Sequence, residues 1–426
     1  MPDGPDQPAG AVPGAPPAPP GAFEPLRSRP FREVWLGNSA SSIGSQIQSV
    51  AAAWLMTDLT TRHVLVAAVP AANPMAMLLL SVFAGVLADN FDRRMLMLIG
   101  QWFMLVASAV LAVLTYAGWI GPWSLLAFTL MIGAGTALVL PSWSASVRAL
   151  LGDSRTLPQA IGLNSISANL ARSVGPAIGG IVLATAGVAA AFAINAVSYI
   201  ALIVALMRWK PAAEPLRREP LLRSVRAGIA FSWRSGPVRR VLVRCSAYGF
   251  GAIGVLALLP VILRGALHGS ETDYGLLLGT FGTGAVFGAF GATEVRRRFG
   301  AEVAVVVGTG CSILGLIGLG IAPSVLTLAP FLFFGGIGWT ACLNALNIAI
   351  QVRAPVEILG RTMAIYQAVT LGSAAIGAWA WGSLADTLDG RASVLWAAAW
   401  LAASTVVLLF FSPLPARGEG VVLERG

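Results

Sequence analysis

Gly85-Val86-Leu87-Ala88-Asp89-Asn90-Phe91-Asp92-Arg93-Arg94 is a short charged turn set between two long uncharged stretches. An α-helix rises about 1.5 Å per residue, so roughly 20 apolar residues cross a hydrocarbon core of about 30 Å, and each flank is that long. A charged hinge between two such helices implies a membrane protein whose helices move against one another. Working outward by the same criterion gives about twelve stretches. Six run over 34–56, 64–88, 95–117, 122–147, 159–184 and 188–207. Six more run over 240–263, 274–294, 302–321, 324–350, 362–385 and 392–411.

Composition sets the same medium. The 426 residues are 56% hydrophobic and 11% charged, too apolar for an ordinary soluble surface. The formal net charge of +9 raises the question of a nucleic-acid partner, and the distribution of the basic residues answers it. With both termini inside, Arg27, Arg29, Arg32, Arg93, Arg94, Arg148, Arg155, Arg296 to Arg298, Arg353 and Arg361 fall on one side. Arg62, Arg264 and Arg391 fall on the other. That is the positive-inside pattern of a multi-pass inner-membrane protein, with no nucleic acid required.

The expected organisation is a Pro/Gly/Ala-rich cytoplasmic tail over 1–25, a six-helix bundle over 26–207, a basic linker over 208–239, a second bundle over 240–412 and a cytoplasmic tail over 413–426. The tail has no basic start followed by an apolar run, so it does not read as a signal peptide. Cys245, Cys311 and Cys342 fall within spans without metal-ligand spacing and read as small packing residues.

The chain reads as a duplication. Arg32, Val34, Ser39, Ala40 and Gly44 recur as Arg239, Val241, Ser246, Ala247 and Gly251, 207 positions later. Gly85 with Arg93 and Arg94 recurs as Gly288 with Arg296 and Arg297, at 203, and Val147-Arg148-Ala149 as Val352-Arg353-Ala354, at 205. Two halves in parallel orientation follow.

On these residues the chain resembles the major facilitator superfamily, in the branch of drug and siderophore exporters that includes the enterobactin exporters. Gly85, Leu87, Ala88, Asp89, Arg93 and Arg94 match the family's loop after the second helix, while Asn90 and Asp92 depart from it. The resemblance implies a gate. Asp89 would accept hydrogen bonds at the N-terminus of the eleventh helix, near Gly360, with Arg148 as a candidate cation beside it. A carboxylate at a helix N-terminus contributes about 0.3–1 kcal/mol, which suits a latch that must release. Gly162, Ala171, Gly175, Pro176, Gly179 and Gly180 in the fifth span fit the exporters' Gly-Pro pattern. Ala171, Gly175 and Gly179 step by four along one face, a seam for close helix packing, and Pro176 permits bending. The eighth span offers Gly284, Gly288 and Gly291 as small residues of the same kind.

Polar residues inside spans mark a cavity, because each is costly in lipid. Asn38, Ser42, Ser45 and Ser49 share one face of the first span, with Ser41, Gln46 and Gln48 beside them. Thr340, Asn344, Asn347 and Gln351 repeat that spacing on the tenth, and the two stripes are expected to line a central pathway. Arg172 lies near mid-membrane in the fifth span, where insertion costs about 2.5–3.5 kcal/mol, and carbonyls, a helix-end carboxylate or an anionic substrate would have to compensate it.

No Asp or Glu lies deep in a span, and Glu33, Asp58 and Asp386 sit near span ends, so proton antiport is implied by the resemblance alone. An intramembrane enzyme is disfavoured: His63 and His268 fall in expected external loops, and the chain shows no metal-binding His pair, no buried acid dyad and no phosphate-binding Gly loop ending in Lys. No cofactor is expected. The reading is an all-α polytopic membrane protein of twelve transmembrane helices in two pseudo-symmetric six-helix bundles. It would act as a monomer on an amphiphilic small molecule, a drug or siderophore-like metabolite, exported by alternating access. An importer or a non-transporting sensor of the same fold is the alternative.

Overall fold

In hydrocarbon every backbone N–H and C=O must find a partner within the chain, so uninterrupted apolar runs become helices. The computed structural model describes residues 21–151, 153–210, 231–354 and 359–414, less the side chains of 81–86, 88–90, 145, 154, 293 and 359–361. Among the described residues there is no strand. The long helices are α1 (Arg29–Leu59), α2 (His63–Asn90), α3 (Arg93–Tyr116), α4 (Pro122–Leu150), α5 (Leu157–Arg208), α6 (Gly236–Ala252), α7 (Gly254–Gly265), α8 (Glu271–Ile321), α9 (Val325–Arg353), α10 (Leu359–Thr387) and α11 (Gly390–Phe411). Ten segments among them are long and apolar enough to cross a membrane.

Two helices are hairpins. α5, with 52 residues, breaks at Gly187 (φ 81°), and α8, with 51, breaks at Gly300 (φ 92°), both in the left-handed region that glycine enters without a Cβ clash. Packing against third helices shows the reversal. On α1, Gln46 lies against Gly175 and Ile47 and Val50 against Gly179, so the first arm of α5 runs parallel to α1. Gly37 lies against Leu202 and Gly44 against Asn195, so the second arm runs antiparallel to α1. α9 reads α8 in the same way, with Phe333 at Gly284 and Ile337 at Gly288, then Cys342 at Gly308 and Phe331 at Gly318. The 31-residue α1 is long enough to cross but lies outside the ten apolar segments, because its polar stripe dilutes its hydropathy.

The expected seventh span emerges as two pieces, α6 and α7, meeting at Ile253. The interruption is satisfied from a neighbour: Trp381 Nε1 donates to the Phe250 carbonyl at 2.7 Å. His63, expected in a loop, is the first residue of α2.

Two ends of the bundle can be told apart. One, here called the basal end, carries Arg29, Arg94, Arg148, Arg353 and the last turn of α11. The other, the distal end, carries Asp58, His63, Arg264, Glu271 and Asp386. A single apolar core joins both halves of the chain, with Trp54 and Leu65 from the first and Leu258, Tyr274 and Trp381 from the second. A separate core, from Phe31 and Met97 to Trp143, Leu206 and Trp209, is confined to the first half at the basal end.

Candidate functional site

The polar stripe of α1 faces a cavity of about 780 Å³. Asn38, Ser42 and Ser45 line it, together with Ser41 and Gln46 from the same helix. α2 contributes Asn73, α3 Gln101, α4 Thr136, Trp143, Ser144 and Arg148, and α5 Asn164, Ser165, Ala171, Arg172 and Tyr199. Among the described residues that line it, none is an Asp or a Glu. Arg172 is exposed although it lies some fifteen residues into α5, so its guanidinium is open to the cavity. Arg148 is exposed at the basal end of α4.

A buried hydrogen-bond network holds one wall. Gln48 Oε1 accepts from Ser108 Oγ at 2.9 Å and from Asn195 Nδ2 at 2.6 Å, and Asn195 Nδ2 lies 3.0 Å from the Tyr199 hydroxyl. Tyr199 also lines the cavity, so the network ties α1, α3 and α5 behind it. Sequence reading passed over Ser108, Asn195 and Tyr199, because single polar residues in separate helices show no period. Their signal was the cost of each in lipid without a partner.

Other expected residues lie elsewhere. Ser49 is exposed but does not line this cavity, and neither do Thr340, Asn344, Asn347 and Gln351. Thr340 is buried, while Gln351 Nε2 donates to Asn347 Oδ1 at 2.5 Å along α9. The side chains of Gly85 and Asp89 lie outside the described residues. Asp92 caps α3, its Oδ1 accepting from Arg94 N–H at 2.8 Å. Arg94 reaches across to the basal end of α5, donating to Leu206 O at 2.7 Å and Met207 O at 2.9 Å. Arg93 begins α3 beside it.

The Gly-Pro segment divides its contacts. Gly175 and Gly179 pack on α1, Pro176 is buried between them, Gly162 is exposed with open space beside it, and Ala171 is buried at the cavity wall. Gly180 meets Gly275 of α8: a Cβ built on Gly180 would stand 2.7 Å from Gly275 Cα. α8 therefore approaches α5 through Gly275, Gly279 and Gly282. Gly284 and Gly288, expected to serve as small residues of that kind, pack on α9 instead, and a Cβ on Gly291 would meet open space.

Among the described residues, polar contacts between the halves gather at the distal end. Trp54 Nε1 donates to Glu271 Oε1 at 3.1 Å, and its ring lies 5.7 Å from Tyr274 and 5.2 Å beneath the Arg264 guanidinium. Arg264 pairs with Asp58 and donates to Thr57 Oγ1. Asp386 receives the N–H groups of His63 and Val64, and His63 Nδ1 lies 3.0 Å from Ala385 O. Aromatic stacking, a cation over a ring and an ion pair together seal that end.

The cysteines are free, with Cys245 beside Thr370 Oγ1 and Cys342 buried near Thr309. Among the described residues no group of His, Cys, Asp and Glu could hold a metal ion.

Comparison with known proteins places this geometry. A major facilitator family model described as transmembrane secretion effector matches residues 20–421. The enterobactin exporter EntS of Citrobacter koseri is 25% identical over 86% of this chain and 88% of its own. The staphyloferrin A transporter of Staphylococcus aureus is 32% identical over 38% of this chain and 42% of its own. A bacterial homologue of the iron transporter ferroportin, solved in an inward-facing state, superposes with a TM-score of 0.71 at 17% identity, covering 89% of this chain and 98% of that one.

Proposed function

We propose that this chain, which belongs to the transmembrane secretion effector family of major facilitator transporters, carries an amphiphilic small molecule out of the cell by alternating access. It is a multi-pass membrane transporter and not an enzyme. The observation that carries the finer reading is that the described polar contacts between the halves seal the distal end, while a polar cavity lies in the first half. With the arginine-rich basal end in the cytoplasm, this is an inward-open state. Twelve passes are reached by counting α1 and both arms of α5.

In the opposite state the first half (26–207) rocks against the second (240–412), the basal end closes and the distal contacts part. Asp89 latches the basal end in that state, with Arg93, Arg94 and Arg148 holding the surrounding helix ends. The stripe of Thr340, Asn344, Asn347 and Gln351 comes to face the pathway as the second half turns. The linker over 208–239 and the tails over 1–25 and 413–426 stay in the cytoplasm, and the monomer is the working unit.

Export of a siderophore-like or drug-like compound is supported by the relatives named as an enterobactin exporter and a staphyloferrin A transporter. Proton antiport supplies the energy.

The test is accumulation of a panel of dyes and siderophores in a bacterium lacking its major efflux pumps, with and without a protonophore, for the wild type and Asp89→Asn. Protonophore-sensitive extrusion that Asp89→Asn abolishes is expected. Uptake in place of extrusion would reverse the direction, and no flux of any compound would leave the sensor reading.

A further inference from the structure

Resting on the transport reading above, we propose that the first-half cavity takes an amphiphilic organic anion, whose carboxylate is held by Arg172 with Arg148 at the mouth. Among its described lining residues the cavity has two guanidiniums and no carboxylate. Neither Arg172 nor Arg148 makes a side-chain hydrogen bond or ion pair with any described residue, whereas Arg264 pairs with Asp58 at the distal seal and Arg94 donates to Leu206 O at a helix end. A guanidinium in mid-membrane without a protein counter-charge is costly unless water or an anion reaches it, and a planar carboxylate matches its fork of donors.

The remaining lining is neutral amides and hydroxyls from all five helices, with an apolar patch on α4 and α5 that includes Trp143, Leu140 and Ile161. A ligand filling it has an apolar body against those side chains and its anionic group at Arg172. A cation would meet two like charges and, among the described lining residues, no carboxylate. Arg172 also lies at a crossing of the halves, its carbonyl against Gly282 of α8. A Cβ built on Gly282 of α8 would stand 2.6 Å from Ser173 Cα, so rocking of α8 displaces the backbone that carries the guanidinium. The anion is therefore held at the contact that transport must break.

The experiment measures binding to the full chain in lipid nanodiscs by equilibrium dialysis, with empty nanodiscs as background. It uses three probes of one shape: 2-naphthoate, 2-naphthamide and 2-naphthylmethylammonium. Naphthoate is expected to bind at least tenfold more tightly than either other probe, and more weakly as salt rises. Arg172→Gln should remove that preference and Arg172→Lys should keep part of it. The charge series on the wild type needs no variant to fold. Equal binding of the amide or the ammonium, or undiminished naphthoate binding by Arg172→Gln, overturns the proposal. Flux of the same probes in proteoliposomes separates it from the transport reading. Naphthoate that binds while neither it nor any dye or siderophore is moved supports the anion site and sinks transport, whereas preferred movement of the ammonium sinks the anion site and leaves transport standing.

Discussion

Asp386, in the last turn of α10, accepts hydrogen bonds from the backbone N–H groups of His63 at 2.5 Å and Val64 at 3.3 Å, the first two residues of α2. These N–H groups have no partner within their own helix, and the positive end of the helix dipole favours a carboxylate there. The two helices belong to opposite halves. One side chain from α10 thus fastens the distal end of α2, the mirror of the basal latch that the Asp89 motif implies from α2 to α10.

Removing the charge with Asp386→Asn should shift the protein away from the distally sealed state. A carboxylate at a helix N-terminus contributes about 0.3–1 kcal/mol, up to ~2 when partly buried, so the open population should rise roughly two- to thirtyfold. Spin labels on Arg62→Cys and Leu388→Cys, in a background cleared of native cysteines, should show a second, longer distance. Asp89→Asn should move the same distribution the other way. An unchanged distribution in Asp386→Asn would remove the latch from the mechanism.

Gly275→Ala should oppose the sealed state by sterics alone. The added Cβ would meet Gly180 Cα at 2.5 Å and Pro176 O at 2.7 Å, backbone atoms that cannot rotate away. Overpacking of this kind costs about 1–3 kcal/mol, enough to lower flux roughly tenfold. Normal membrane insertion with normal flux would show that the two glycines never need to touch.

Arg94→Gln separates capping from gating. Its hydrogen bonds to Leu206 O and Met207 O satisfy orphan carbonyls at the end of α5, and a charge-assisted bond of this kind at a half-exposed site contributes about 1–2 kcal/mol. The melting temperature should fall by a few degrees while flux per folded molecule stays near that of the wild type. Lost flux at unchanged stability would return Arg94 to the gate.

Gln48→Leu leaves the Ser108 hydroxyl and the Asn195 amide without their shared acceptor. Interhelical hydrogen bonds in membranes contribute about 0.6–1.7 kcal/mol. Stability in detergent should drop by about that amount, and the double variant Gln48→Leu with Asn195→Leu should cost less than the sum of the two singles. Additive losses would show that the two side chains do not act through one bond.

The sequence determined the helices, the charge asymmetry of the two ends and the family, because each is written in local terms. Apolar run length decides what crosses a bilayer, and the Gly85 to Arg94 turn and the Gly-Pro segment are each contiguous in the chain. It also marked the α1 stripe and Arg172, since polar groups inside an apolar run stand out one by one. Tertiary structure alone decided what these residues meet. Gly175 and Gly179 turn to α1 while Gly180, one residue on, crosses to α8. Arg94 caps α5 from 112 residues away. The cavity closes around α1 to α5 and leaves out the matching stripe on α9. Period along a helix names a face but not the neighbour opposite it, and that neighbour is fixed by the reversals at Gly187 and Gly300 and by the way the halves lean together at the distal end.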